Sequence, residues 1–539
     1  MSGSITLENR FGVNKMELIS LKYAIFVIVL LVLYYCFPKK YRWYVLLAGS
    51  MAYYVIICKW YVLFIIFTIC TTYGSTIWID KLLKKQNAIV KSHKEDWDRQ
   101  TRKDYKEKGR KKRVAVMLFA LLCNFGILAF LKYIPYAGEL GLLLPLGISF
   151  YTFQSMGYVM DVYREIVEPE KNFLKVALFV SFFPQIIQGP IAIYDKLAGQ
   201  LYEGHSLRLE NLQKGALLVL WGVMKKLVIA DRAVNIINFV MDKPMDFSGT
   251  YVFFAAVVYA LQLYADFSGG IDIVRGIAEM FGITMSTNFN HPYFSRSLTE
   301  YWHRWHMTLG DWCRNYIFYP LSISKRFLNF GKWLKPRFGA HISKVLPGCI
   351  ASVITFIVIG VWHGANMKYL YFGLWNGIVI MLAELFAPVN KKVAGGFFKL
   401  TGLREKGIFA TIVSVLWTFM LILVGYYFDI AENASTAFHM LFKSVTDFHI
   451  SELGINNIIL NLGACGLDEY DIFLLIICTL LWFFISFVEE NKKLDMRDFI
   501  LSRKLPLRWA IIYLGIFIVI IFGYYGPGVN PADFVYMQF

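Results

Sequence analysis

At 539 residues, 57% hydrophobic and only 17% charged, this chain lacks the polar skin that a water-soluble protein of its size needs. Its formal net charge of +17 does not point to nucleic acid, because the cytoplasmic loops of membrane proteins carry excess Lys and Arg. The eight cysteines are scattered without CxxC spacing and mostly lie in apolar runs, where Cys behaves as a small hydrophobe. Neither a disulfide framework nor a metal site is expected.

Apolar runs near the roughly 20 residues that cross a bilayer recur from end to end. In chain order they are Leu18–Phe37, Trp43–Cys58, Tyr61–Ile79, Val114–Leu131, Leu142–Met160, Phe173–Ile193, Tyr251–Phe267, Val345–Val361, Tyr369–Phe386, Ile408–Phe428, Ile472–Val488 and Trp509–Tyr525. Hydropathy therefore predicts about twelve crossings in an all-α polytopic membrane protein. The first run reads as a retained span, not a cleaved signal. Trp and Tyr crowd many of the ends, as interfacial belts require.

The loops set the orientation. Lys81–Arg113 holds fourteen Lys or Arg against five Asp or Glu, which places it in the cytoplasm. Lys39, Lys40 and Arg42, and the basic stretches Lys325–Lys344, Lys391–Lys406 and Lys492–Arg508, fall on the same side. Both termini are then extracytoplasmic, in a multi-pass protein of the cell membrane. Leu212–Ala230 is apolar enough to cross but carries Lys225 and Lys226. It reads as an amphipathic or re-entrant helix, and Asn288–Tyr319 as a partly buried one. Residues 1–430 form a transmembrane core and 431–539 a C-terminal hairpin with an outward tail.

Ionisable groups at membrane depth raise a functional question by default. Four clusters stand out. His363, in VWHGAN, ends an apolar run between Gly360 and Gly364, either as a proton acceptor or as a hydrogen-bond partner of a neighbouring helix. YWHRWHMTLGDW, Tyr301–Trp312, holds His303 and His306 three residues apart on one helix face, unless it is an interfacial belt. YADFSGGIDIVRG, Tyr264–Gly276, holds Asp266, and Asp272 spaced to pair with Arg275; a structural ion pair or a helix cap is equally open. PADFVYMQF at the end carries Phe534, Tyr536 and Phe539.

The order of LPLGISFYTFQSMGYVMDVYR (Leu144–Arg164), FFPQIIQGP (Phe182–Pro190), the Asp266–Asp272 stretch, NFNHPYFSRSLTEYWHRWH (Asn288–His306) and VWHGAN resembles the membrane-bound O-acyltransferase family, and within it the bacterial alginate O-acetylase group. After Trp312 the chain reads RNYIFYPLSISK where relatives read closer to RDYLYIPLGG. The resemblance implies a helical ring with re-entrant and half-buried helices around a through-membrane tunnel. It implies acetyl-CoA as acyl donor, an exported polysaccharide as acceptor and an extracytoplasmic SGNH-type partner. It sets the family's near-invariant histidine on His363 and its second polar position on His306.

Acyl transfer from a thioester to a hydroxyl needs a base, a donor for the oxyanion and exclusion of water. His363 is the candidate base, and His306 donates to the thioester oxygen or orients the acceptor. Trp302, Trp305 and Trp362 exclude water, with Asp266, Asp272 and Asn366 as further polar positions along the passage. Arg304, Arg314, Lys325 and Arg326 are candidate contacts for coenzyme A phosphates. The FxYxxF pattern of Phe534, Tyr536 and Phe539 resembles a motif of this family or its small partners, and implies Tyr536 as an acyl relay. A phenol, with a pKa of about 10, leaves its acyl ester activated. Two other readings compete: a teichoic-acid D-alanyl transferase of the same family, and a transporter or flippase of lipid-linked sugars.

Overall fold

The computed structural model describes residues 16–134, 138, 141, 142, 144–401, 404, 407–454, 457, 463–526 and 534, and no strand occurs among them. The chain divides into two compact units, Met1–Val219 with Ile271–Ser286, and Leu220–Gly270 with Thr287–Phe539.

The first unit opens with α1 (Leu21–Cys36), capped by the Ser20 hydroxyl, which accepts the Tyr23 N–H. α2 (Arg42–Cys58) and α3 (Val62–Ser92) follow, separated by a break at Lys59, whose φ is 49°. α4 spans Arg99–Tyr133. The basic stretch expected as a loop, Lys81–Arg113, is largely the helical continuation of α3 and α4. Lys, Arg and Gln are good helix formers, and the return is made near Asp98, whose carboxylate accepts the Thr101 and Gln100 N–H groups. α5 (Ile148–Tyr163), α6 (Phe173–Ser181), α7 (Phe183–Gln188), α8 (Tyr194–Tyr202) and α9 (Leu209–Met224) complete the series.

Two expected spans change character here. Phe173–Ile193 is broken at Phe182, with Pro184 opening α7. The pieces of nine and six residues are about 13 and 9 Å long, far short of a bilayer's hydrocarbon core. Leu142–Met160 becomes the 16-residue α5, buried from Ile148 to Val162. Its hydropathy reflects protein surroundings rather than lipid. Gly147 makes its start possible: φ is 69°, and a Cβ there would stand 2.1 Å from the Ile186 carbonyl oxygen, so only glycine fits.

In the second unit a π-helical turn at Lys225–Ala230 leads into α10 (Asp231–Met241). α11 (Gly249–Met280) runs through the unit boundary at Gly270. Then come the seven-residue α12 (Leu298–Arg304) and α13 (Met307–Cys313), α14 (Lys325–His363), α15 (Met367–Leu385), α16 (Ala387–Thr401), α17 (Ile408–Ile430), α18 (Ala434–Thr446), α19 (Glu469–Lys492) and α20 (Leu505–Phe522). Lys325–Lys344 is helix too, interrupted only at Gly339 with φ 80°.

Among the described residues, seven helices are long and apolar enough to cross a membrane, or eight if α15 and α16, bent by 67°, make one crossing. Residues 39–92, the α2–α3 pair, count as one of these, while α1 and the α6–α7 pair are shorter apolar helices. Nothing in the apolar window of α20 is buried in protein, the pattern of a helix whose solvent is lipid.

Candidate functional site

His363 is the last residue of α14, and Gly364 ends the helix. α14 and α15 meet backbone to backbone. A Cβ on Gly360 would stand 2.3 Å from the Tyr369 carbonyl oxygen, and one on Gly373 2.4 Å from that of Phe356. The glycine beside the histidine therefore sets helix spacing, as small residues do between membrane helices. The approach holds the His363 ring 5.5 Å from Phe372, edge to face, and 6.0 Å from Tyr369, stacked.

His306 sits between α12 and α13 with φ 44°, a left-handed conformation uncommon outside glycine. It is 2% exposed. Phe267 packs edge-on 4.9 Å from its ring, and Trp362 lies 6.2 Å away. Its Nδ1 lies 3.2 Å from Asn288 Oδ1. That oxygen also accepts the Thr308 N–H at 3.1 Å and the Thr308 hydroxyl at 2.9 Å. An atom that accepts from a backbone N–H is the amide oxygen, so Nδ1 must donate to it. The neutral ring then carries its proton on Nδ1 and its lone pair on Nε2. Burial first, and the neighbouring His363 second, push this imidazole down to about 3, so it is neutral at working pH.

The two histidines line one narrow cavity, with Tyr301, Trp302, Trp305, Phe372, Asn376, Tyr426 and Asp429 among its walls. Its volume of 20 Å³ holds a water or two, not a bulky group. The polar lining is tied up in order. Trp302 Nε1 donates to Asn376 Oδ1 at 2.9 Å. The Tyr301 and Tyr426 hydroxyls are 2.8 Å apart, and Tyr293 lies 3.2 Å from Tyr426. Tyr259 donates to Asp429 at 2.7 Å.

Asp266, fully buried, accepts from Lys226 at 2.7 Å, and the same ammonium stands 2.8 Å from Asp231. Lys225 donates to Ser268 at 2.8 Å. The π-helical turn presents these two successive lysines, each at most 3% exposed. Phe534 is buried, with its ring centroid 4.6 Å from Lys226 Nζ. Tyr536 and Phe539 lie outside the described residues. In the first unit Asp272 pairs with Arg275 at 3.4 Å, as the spacing predicts.

The remaining expected positions divide. Trp302, Trp305 and Trp362 gather around the histidines, but Asn366 does not line the cavity. It caps α15, accepting the Lys368 N–H, and is exposed. Arg304 lies 2.8 Å from both Glu300 and Glu490, and Arg314 lies 2.8 Å from Asp311. Both guanidiniums already hold carboxylates. Lys325 and Arg326 are exposed at the start of α14. Sequence reasoning passed over Asn288, Tyr426 and Asp429. Asp429 had a usable signal, a carboxylate ending an apolar run as Asp266 does. Asn288 had none beyond lying in the NFNHPY stretch.

The helices and the two histidines at a shared cavity thus define a polytopic membrane protein with a polar pocket in its second unit. The model of the membrane-bound O-acyltransferase (MBOAT) family matches residues 169–335, a stretch that includes His306 and ends before His363. The chain is similar to that family and, within it, to the alginate O-acetylase group. It is 31% identical over 320 residues to a probable alginate O-acetylase of Pseudomonas fluorescens, covering 59% of this chain and 57% of that one. It is 29% identical over 363 residues to the peptidoglycan O-acetyltransferase of Helicobacter pylori, covering 60% and 63%. It is 26% identical over 288 residues to the teichoic acid D-alanyltransferase of Bacillus subtilis, covering 52% and 67%. The matched stretch thus spans somewhat more than half the length of the O-acetylating relatives.

Proposed function

We propose that the chain moves an acetyl group from a cytoplasmic acyl-CoA thioester to an extracytoplasmic hydroxyl, in the O-acetylation of an exported polysaccharide. The observation that carries this reading is the shared cavity of His306 and His363, walled by tryptophan and tyrosine. His363 takes the proton of the attacking hydroxyl. The hydroxyl oxygen bonds the acyl carbon, the carbon–sulfur bond breaks, and coenzyme A leaves as its thiol. His306, with its proton held by Asn288, offers Nε2 as an acceptor. This favours orienting the hydroxyl over donating to the thioester oxygen. Of the Tyr301 and Tyr426 hydroxyls one donates to the other, which leaves at most one of the pair as a donor for the oxyanion.

The first acceptor is Tyr536, which passes acetyl on to the polymer through an SGNH-type partner. The burial of Phe534 against Lys226 supports a docked tail: Lys226 holds Asp266, and the next residue, Phe267, packs on His306. Purified protein given acetyl-labelled acetyl-CoA should release thiol and carry label on Tyr536. A Tyr536→Phe protein that acetylates polymer at the normal rate refutes the relay. The likeness to a D-alanyl transferase keeps one rival in play, distinguished by thiol release from an aminoacyl carrier protein but not from acetyl-CoA. A sugar transporter would do neither.

A further inference from the structure

The first unit holds a larger cavity than the histidine site. Its volume is 530 Å³, and Lys39, Lys40, Tyr41, Trp43, Tyr44, Lys175, Tyr202 and Gly204 line it. This is within the range of small-molecule sites.

Its walls are built and held. Lys39–Tyr41 form a single turn between α1 and α2. Arg42, 9% exposed, donates to the carbonyls of Phe37 at 2.9 Å and Tyr35 at 3.0 Å, and also to that of His205. One guanidinium thus fastens the loop after α8 to the turn before α2. Gly204 lets the two backbones touch, since a Cβ there would stand 2.2 Å from the Lys39 carbonyl oxygen. Tyr202 donates to the Lys175 carbonyl at 2.9 Å, and Lys175 Nζ lies 4.9 Å from the Tyr202 ring centroid. Trp43 and Tyr44 stack at 3.7 Å.

The charge is unbalanced. Three ammonium groups face one cavity, and among the described residues none of them pairs with a carboxylate. The acids closest in sequence are otherwise placed: Glu170 accepts the Asn172 N–H at 2.8 Å, and Glu203 is exposed. Neither lines the cavity. Some cations elsewhere are held by carboxylates, as at Arg304, Arg314, Lys226 and Arg113. Lys39 and Lys40 are exposed and Lys175 half-buried, so water and salt screen their mutual repulsion, and together they give the cavity a positive potential that attracts an anion. The aromatic walls suit an apolar or planar moiety attached to it.

We propose that this cavity is a binding site for a phosphate group carried on a larger molecule. The same chemistry comes from two sources. One is the headgroup of an anionic phospholipid, since the cavity lies just past the end of the apolar α1. The other is a soluble phosphorylated adenosine. The nucleotide arm rests on the acyl-CoA reading and the lipid arm does not; both readouts are binding and need no turnover, so their failure is distinguishable from failure of acyl transfer.

The test uses the purified full chain and two probes. Adenosine 3′,5′-bisphosphate is titrated in neutral detergent, followed by tryptophan fluorescence and calorimetry. Phosphatidylglycerol is offered against phosphatidylcholine in nanodiscs, followed by lipid retention in native mass spectrometry. Wild type should bind one of the probes, more weakly as salt rises. The Lys39→Gln/Lys40→Gln/Lys175→Gln variant should bind that probe at least tenfold more weakly, and the matching triple Lys→Arg variant should bind within about threefold of wild type. Loss with the nucleotide alone identifies a soluble ligand, and loss with phosphatidylglycerol alone identifies a lipid. Failure of wild type to bind either probe, or equal binding by wild type and the Gln variant, overturns the proposal.

Discussion

The histidine cavity of the second unit and the lysine cavity of the first are opposites in charge management. Around the histidines several polar groups are held by partners within the protein. Asn288 fixes His306, Tyr259 donates to Asp429, and carboxylates hold Arg304 and Arg314. Around Lys39, Lys40 and Lys175 no carboxylate answers among the described residues. A tight pocket whose histidines are held in place suits chemistry on a small group, because preorganised donors and acceptors need not reorganise during reaction. A roomy, uncompensated one suits capture of an anion. The difference also shows why cationic residues next to a motif are poor guides to an anion site. Arg304 and Arg314 flank the histidines in sequence, yet their charge is already spent on neighbouring acids.

The sharpest way to break the comparison is to remove the proposed base. His363→Ala should lower thiol release from acetyl-CoA by about 10²–10⁴-fold, measured with a thiol reagent, while probe binding at the lysine cavity stays within twofold of wild type. A parallel loss at both places would mean that the two regions do not act separately. Next comes the buried charge cluster. Lys226→Met strands Asp266 and Asp231 without their cation and should cost about 3–5 kcal/mol of stability, visible as a large fall in thermal midpoint. Lys226→Met/Asp266→Leu should recover part of it.

Asn288 gives a finer test. Asn288→Ala frees the His306 ring to carry its proton on either nitrogen and should lower kcat by roughly 10–100-fold with KM nearly unchanged, by analogy with lost supporting contacts elsewhere. Asn288→Asp, which still accepts from Nδ1–H, should recover much of that rate; equal damage by both would leave Asn288 a packing residue only. The smallest effect expected is on acid stability. Burial depresses His306 to about 3 from an unfolded value near 6.5. Between those values the unfolded chain binds the extra proton, so stability should fall as pH drops from about 6.5 towards 3. A His306→Asn protein should show a shallower decline in its thermal midpoint over that window.

The legible parts of the molecule were those with local signals. The resemblance carried by the ordered motifs placed His306 and His363, which the fold then brings to one cavity, and the Asp272–Arg275 pair followed from helical spacing. Hydropathy found the lipid-facing helices, such as α17, α19 and α20. It misjudged α5 and the α6–α7 pair, because an apolar run buried in protein looks the same in sequence as one facing lipid. It also missed that Lys81–Arg113 and Lys325–Lys344 continue as helix, since charge marks the membrane boundary and not the end of a helix. Asn288, Asp429 and the lysine cavity depend on contacts between distant residues. Lys39 and Lys175 are separated by 136 positions, and only the fold brings them to one cavity.

The central claim is that His306 and His363 act on one reacting group. Single-turnover release of thiol from acetyl-CoA, compared for His306→Ala, His363→Ala and the double variant, tests it most directly. Residues acting as a unit lose little more together than the worse of the two alone, so the double variant should match the slower single one within about threefold. Losses that multiply would show two independent contributions and contradict a shared site.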